Sequence, residues 1–272
     1  MAGLFYLEAP AALRAQIHSY LTGAAPSAIR AAGQPRALIV PHAGYVYSGS
    51  VAACAYRRLA DIADGIHRVV LFGPAHRRAV RGLALPSATF FATPLGKVEV
   101  DRVGVAAARA LPQVCESDAA HDLEHALEVQ LPFLQVVLRE FRILPFVVGD
   151  ATPAEVAQVI ELFADDPAAL ILVSSDLSHY HPYAEAQEVD QGTANTVLAL
   201  SPTLNHQQAC GATPINGLLL VARRRGLRPE LLSLANSGDA EGDRSRVVGY
   251  GSFAFDGPAP ALSIGASAPG RT

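Results

Sequence analysis

Ala169-Leu170-Ile171-Leu172-Val173-Ser174-Ser175-Asp176-Leu177-Ser178-His179 decides how this chain folds. Five apolar residues run without alternation and then give way to serine, aspartate and histidine. A short unbroken apolar run closed by small polar residues reads as a strand buried on both faces. The same pattern occurs twice upstream. Ala37-Leu38-Ile39-Val40 runs into Pro41-His42-Ala43-Gly44-Tyr45, and Val69-Val70-Leu71-Phe72 runs into Gly73-Pro74-Ala75-His76. A further polar pair, Cys210-Gly211, comes later. In an open α/β sheet, ligands bind beyond the carboxyl ends of the strands. Three histidines, an aspartate and a cysteine on such ends predict one shared metal centre.

Outward from these runs, strand and helix signals alternate along the whole chain. This predicts a three-layer α/β/α fold with a mostly parallel or mixed central sheet. Helices are expected over about 11–21, from a Ser48 cap to Ala60, and over 103–111 behind an Asp101 cap. A longer helix is expected from Asp122, with a kink or restart at Pro132, followed by helices over 153–163, 184–200 and 215–225. Further strands are expected near Leu83 and Val98 and over 143–148, 231–235 and 247–255. One domain should span residues 1–256. The remainder, 257–272, consists mainly of Gly, Pro, Ala and Ser and reads as a flexible tail.

With 272 residues, half of them apolar, the chain can bury a sizeable core. A net charge of −4 without a Lys/Arg stripe argues against nucleic acid or an anionic membrane as partner. No apolar run approaches the roughly 18–20 residues of a membrane span, and no signal peptide is evident. The cysteines, Cys54, Cys115 and Cys210, are odd in number and far apart, which suggests a reducing cytoplasm and no disulfide framework. Without a phosphate-binding glycine loop, no nucleotide cofactor is indicated.

Imidazole and thiolate are ligands for iron, copper, nickel and zinc. His42, His76 and Cys210 would supply three ligands and leave open positions, as a catalytic centre requires. Taken singly, each histidine reads as readily as a brace for its turn. Asp176 and His179 could form a general acid/base pair beside the metal, although Ser and Asp after a strand also make local turns. His121-Asp122-Leu123-Glu124-His125 matches H-x-x-E-H, a zinc-peptidase signature. On one helix, His121, His125 and Glu128 would share a face. His181 could flank the site, and a surface role is expected for His206.

Taken together, several segments resemble the Memo family. They are Pro41-His42-Ala43-Gly44-Tyr45-Val46-Tyr47-Ser48-Gly49, Gly73-Pro74-Ala75-His76, Glu124 to Phe133, Ser174 to Tyr180, and Cys210-Gly211. The family is similar to the class III extradiol dioxygenases, of LigB-like fold, which use non-haem Fe(II). The resemblance implies a metal site at His42, His76 and Cys210, with Asp176 and His179 beside it and His179 as acid/base. Tyr45, His125, Glu128 and His181 are then expected to line or brace the pocket. Cys210 stands where the dioxygenases use a glutamate, so Fe(II) is the first expectation, Cu the second and Zn the third. Ala75 and Ala126 depart from the small polar residues expected there. Bacterial members, among which the chain is placed, resemble one part of a set with AMMECR-type and radical-SAM proteins. Animal members are described as binding phosphotyrosine-containing peptides.

The leading expectation is a cytoplasmic, metal-dependent oxidoreductase of dioxygenase-like type. The alternatives are a module that captures a peptide or small molecule without turnover, and a zinc hydrolase centred on His121, Glu124 and His125.

Overall fold

The computed structural model describes residues 1–24, 33–240 and 243–257. The tail expected to be flexible lies, from residue 258 onward, outside the described residues. Along the chain come α1 (Pro10–Gly23), β1 (Pro35–Val40), α2 (Tyr45–Arg57), β2 (Arg68–Pro74), β3 (Leu83–Leu85), β4 (Phe90–Thr93), β5 (Gly96–Val100), α3 (Arg102–Ala108), β6 (Val114–Glu116) and α4 (Asp118–His121). Next are α5 (Leu131–Val137), β7 (Arg142–Val148), α6 (Pro153–Glu161), β8 (Ala169–Ser174), β9 (His179–His181), α7 (Tyr183–Leu198), α8 (Ala212–Arg225), β10 (Arg228–Asn236), α9 (Ser237–Ala240) and β11 (Val247–Asp256).

β1, β8, β2 and β7 lie side by side in that order and run parallel. β11 joins antiparallel at the free edge of β1, and β10 pairs with β11. Beyond β7, β5 pairs with its start and β3 with its end. Residues Leu38 to Val40 and Val69 to Phe72 are fully buried. Both faces of these strands are covered, which is why their sequences show no polar alternation.

The crossovers explain the layers. β1 reaches β2 through α2, moving one way across the sheet, and β7 reaches β8 through α6, moving the other way. Right-handed crossovers therefore put α2 and α6 on opposite faces. α1, α2 and α5 pack together, while α6 pairs with α8 over β2 and β8. This is the expected α/β/α arrangement with a mixed sheet. Register then positions the site: Val40 pairs with Ser174, and Phe72 with Val173. The three strands stop level, so the polar clusters that follow them emerge at one sheet edge.

Two local expectations fail. Ser48 does not cap α2, which begins earlier, at Tyr45. The Tyr45 N–H donates instead to Phe5 O at 2.8 Å, and the Ser48 hydroxyl donates back to Ala43 O at 2.9 Å. No continuous helix runs from Asp122 either. α4 ends at His121, Leu123 has φ 59°, and a 3-10 turn over Glu128–Gln130 leads into α5. Glu124 accepts its own Ala126 N–H at 3.0 Å, a local bond that competes with helix. Leu123 is consequently 68% exposed while Leu127 and Leu131 are buried, so leucines at helical spacing do not share one face here.

The Asp101 cap is present as expected. Its Oδ1 accepts from Val103 N–H at 3.1 Å and Gly104 N–H at 3.0 Å, and Arg68 pairs with Oδ2. Burial pushes the Asp101 pKa up, but these amides and the guanidinium outweigh it and hold the pKa below the ordinary range. A carboxylate with a depressed folded pKa stabilises above its unfolded pKa of about 4, and that contribution disappears as pH falls through the folded value. Asp101→Ala should therefore cost about 1–2 kcal/mol at pH 7 by urea titration. The gap from wild type should shrink progressively below pH 4. A gap that stayed constant to pH 2 would contradict the assignment.

Candidate metal centre

Asp176, just past β8, joins the ends of three chain segments. Its Oδ1 accepts the His42 N–H at 2.7 Å and the Ala43 N–H at 3.2 Å, which fixes the loop after β1. Its backbone carbonyl accepts the Cys210 N–H at 3.3 Å. Gly211 N–H donates to Ser175 Oγ at 2.9 Å, at the start of α8. A Cβ on Gly211 would lie 2.7 Å from Ser175 Cβ, so only glycine lets α8 begin this close to the loop. Cys210 Sγ thereby comes within 3.3 Å of His42 Nε2.

β2 delivers His76 beside them, and the rings of His42 and His76 meet edge-on at 5.2 Å. Glu124 holds His76 twice: Oε2 accepts its backbone N–H at 2.7 Å, and Oε1 accepts its Nδ1–H at 2.9 Å. Burial raises the Glu124 pKa, but the His76 ring and the Ala126 amide more than reverse this and bring it down to about 2. Glu124 is therefore an ionised acceptor, and Nε2 is the ring nitrogen of His76 left to face the site. His125 is stacked between Phe5 at 4.4 Å and His76 at 4.8 Å. Among the described residues its buried Nδ1 has no hydrogen-bond partner, although Glu124 Oε1 lies 3.4 Å away.

Two of the imidazoles, His42 and His125, are kept neutral. Burial, reinforced by His76, brings His42 down to about 3, and burial and His42 bring His125 down to about 4. Burial and the neighbouring Asp176 push the Cys210 thiol up to about 12. The donor atoms of His42, His76 and Cys210 lie within 4.8 Å of one another. A single ion at about 2.0–2.3 Å from each needs only a small contraction of that triangle. Two imidazoles, one of them already oriented by a carboxylate, and a thiol that a cation would deprotonate suit a soft or borderline metal.

Asp176 itself is fully buried, and desolvation raises its pKa. His179 donates Nδ1–H to Leu177 O at 2.9 Å, which leaves Nε2 as a proton acceptor. It is near enough to His42 and Asp176 to perturb both electrostatically. Other expected site residues lie further out. Tyr45 donates its hydroxyl to Val129 O at 2.7 Å, and Glu128 accepts from Tyr6 at 2.6 Å, so both brace the wall. His181 pairs with Glu185 at 2.7 Å, away from the cluster. His121 points its Nε2 at Ala84 O, 3.0 Å away, so the H-x-x-E-H histidines do not converge. Glu124, Ser174 and Phe5 are the neighbours that sequence reasoning missed or misplaced. Glu124 and Ser174, each inside a recognised motif, carried a signal, whereas Phe5 carried none. A cleft of about 930 Å³ lies at the other end of the sheet between α6 and α8. Its arginines, Arg36 and Arg225, are saturated by carbonyls and carboxylates.

The family profile described as Memo-like protein matches residues 1–254. The chain belongs to the Memo-like family. A MEMO1 family protein of Sulfolobus acidocaldarius is 33% identical, over 94% of this chain and 97% of its own. One from Methanothermobacter thermautotrophicus is 35% identical, over 92% and 96%, and one from Methanosarcina acetivorans is 38% identical, over 78% and 82%. These relatives are archaeal, so they do not support placing the chain among bacterial members. The fold is shared with an uncharacterized protein, JW3007, from Escherichia coli K12, at TM-score 0.53 and 11% identity, covering 80% of this chain and 98% of that one. Among the described residues, no helix is long and apolar enough to cross a membrane.

Within the family frame, the two motif clusters make opposite predictions. His76→Ala should strip metal from purified protein, whereas His121→Ala should leave metal content within about twofold of wild type, measured by elemental analysis. The reverse pattern would move the centre to the zinc-peptidase motif.

Proposed function

We propose that this Memo-like chain is a metal-dependent oxidoreductase of dioxygenase-like type, with its ion held by His42, His76 and Cys210. What supports the reading is the donor set: two imidazoles and a thiol at the ends of three chain segments, with the His76 side chain 28% exposed to admit a ligand. Bound there, iron(II) would supply redox chemistry and open positions for oxygen donors, with copper the first competitor because a thiolate is soft, and zinc the second. His42, almost fully buried, keeps the inner side of the site dry. Asp176 fixes the loop that carries His42. His179 takes a proton from a substrate hydroxyl at Nε2, since its Nδ1–H is committed to Leu177 O. His125 and Phe5 form a flat wall suited to a planar ligand.

A second reading, capture of a peptide or small molecule without turnover, is favoured by Tyr180. This residue adjoins His179, is 63% exposed at φ 64°, and carries Arg246 over its ring. A cytoplasmic location and partners of AMMECR and radical-SAM type, which the family resemblance implies, belong to the first reading.

Protein purified without oxygen should carry iron or copper. Cys210→Ser should reduce that content at least tenfold, while Cys54→Ser and Cys115→Ser leave it unchanged. His179→Ala should keep the metal and lose turnover. Wild-type protein free of metal in metal-replete cells would overturn the reading in favour of ligand capture.

A further inference from the structure

His42 is held from behind by a chain of buried hydrogen bonds that starts in the core. Tyr56 donates its hydroxyl to Gln130 Oε1 at 2.6 Å. Gln130 Nε2 lies 2.9 Å from Pro41 O and 2.8 Å from Ser174 Oγ. Ser174 Oγ lies 2.6 Å from Ala126 O and 3.0 Å from His42 Nδ1. Tyr56, Gln130, Ser174 and His42 are each at most 1% exposed, so water cannot replace any of these partners.

The direction of every proton follows from what each atom can do. Pro41 O can only accept, so the amide nitrogen of Gln130 must face it, and the same nitrogen donates to Ser174. Ala126 O can also only accept. Two oxygens 2.6 Å apart need a proton between them, and Ser174 owns the only one. The Ser174 hydroxyl is thus spent on Ala126 and can only accept from His42. The imidazole must therefore carry a proton on Nδ1.

We infer that Ser174, backed by Gln130, is a positioning residue for His42, fixing the tautomer whose Nε2 lone pair faces Cys210 and His76. The inference rests on the metal-centre reading for its purpose but not for its geometry. The opposite tautomer would put an N–H where the ion must bind. Neither Ser174 nor Gln130 is one of the three proposed ligands, and both act only through His42. The arrangement parallels the hold of Glu124 on His76, with a neutral relay in place of a carboxylate. Outer partners of this kind orient ligands and raise their basicity.

The test is NMR of metal-free protein labelled with ¹⁵N in histidine, joined to titration with Co(II) as the probe ion. Wild type should show His42 protonated at Nδ1. Ser174→Ala should shift His42 toward the Nε2–H form, which can donate to Cys210 Sγ, and should weaken Co(II) binding about 10–100-fold. Ser174→Thr, which restores a hydroxyl, should recover both. Tyr56→Phe removes only the outermost link; it should lower the melting temperature without moving the tautomer. If Ser174→Ala does not fold, the wild-type spectrum decides, because His42 protonated at Nε2 there would overturn the inference. An unchanged Nδ1–H form with unchanged Co(II) affinity in Ser174→Ala would overturn the inference. If wild-type protein takes up no Co(II), the metal reading fails, and the tautomer result alone decides the relay.

Discussion

One buried carboxylate organises the working end of this protein. Asp176 follows β8, takes the amide hydrogens of His42 and Ala43 on its side chain, and takes that of Cys210 on its backbone. The loop after β1, the loop after β8 and the approach to α8 are therefore one unit, although they are far apart in sequence. Removing the carboxyl would leave two buried amides unpaired, each a loss of about 1–3 kcal/mol. The aspartate is better understood as the brace of the site than as a proton carrier. Both amides fall on Oδ1, and Oδ2 stays 3.9 Å from His42 Nε2.

Around that brace, each histidine is oriented by a different acceptor. Glu124 takes Nδ1–H of His76, Leu177 O takes that of His179, and Ser174 takes that of His42. In all three Nε2 is the ring nitrogen left over. Such a pattern suits an electrophilic or acidic group beside them. Burial lowers the pKa of His42, so that proton and metal do not compete for its nitrogen near neutrality. The thiol of Cys210 is different: burial keeps it protonated, so an incoming cation has to displace a proton there.

The strand ends were legible in the sequence because full burial leaves an unbroken apolar run, and a strand end leaves an abrupt polar one. His42, His76 and Asp176 could be grouped on that basis, and the register of Val40 with Ser174 and Phe72 with Val173 brings them level; Cys210, expected on a strand end, follows no strand and sits just ahead of α8, so only the motif resemblance joined it to the group. The segment after α4 was misread for an equally physical reason. Leucines at 123, 127 and 131 mimic a helical stripe, but Glu124 is recruited across the sheet edge by His76, and the backbone turns at Leu123 to deliver it. Periodicity reports what a segment would do alone, and a long-range hydrogen bond can overrule it. Ser174 was quoted as part of a motif, yet its partners Ala126 and Gln130 lie more than forty residues away, so its role could not be read locally.

Membership of the Memo-like family fixes the fold and the ordered motifs, while chemistry has to be argued from the site itself. The central claim is that one ion sits between His42, His76 and Cys210. X-ray absorption on anaerobically iron-loaded protein tests it most directly. One sulfur at about 2.3 Å together with imidazole nitrogens at about 2.0–2.1 Å is the expected shell. A shell of nitrogen and oxygen only would contradict the claim and point instead to the neighbouring group of His76, Glu124 and His125.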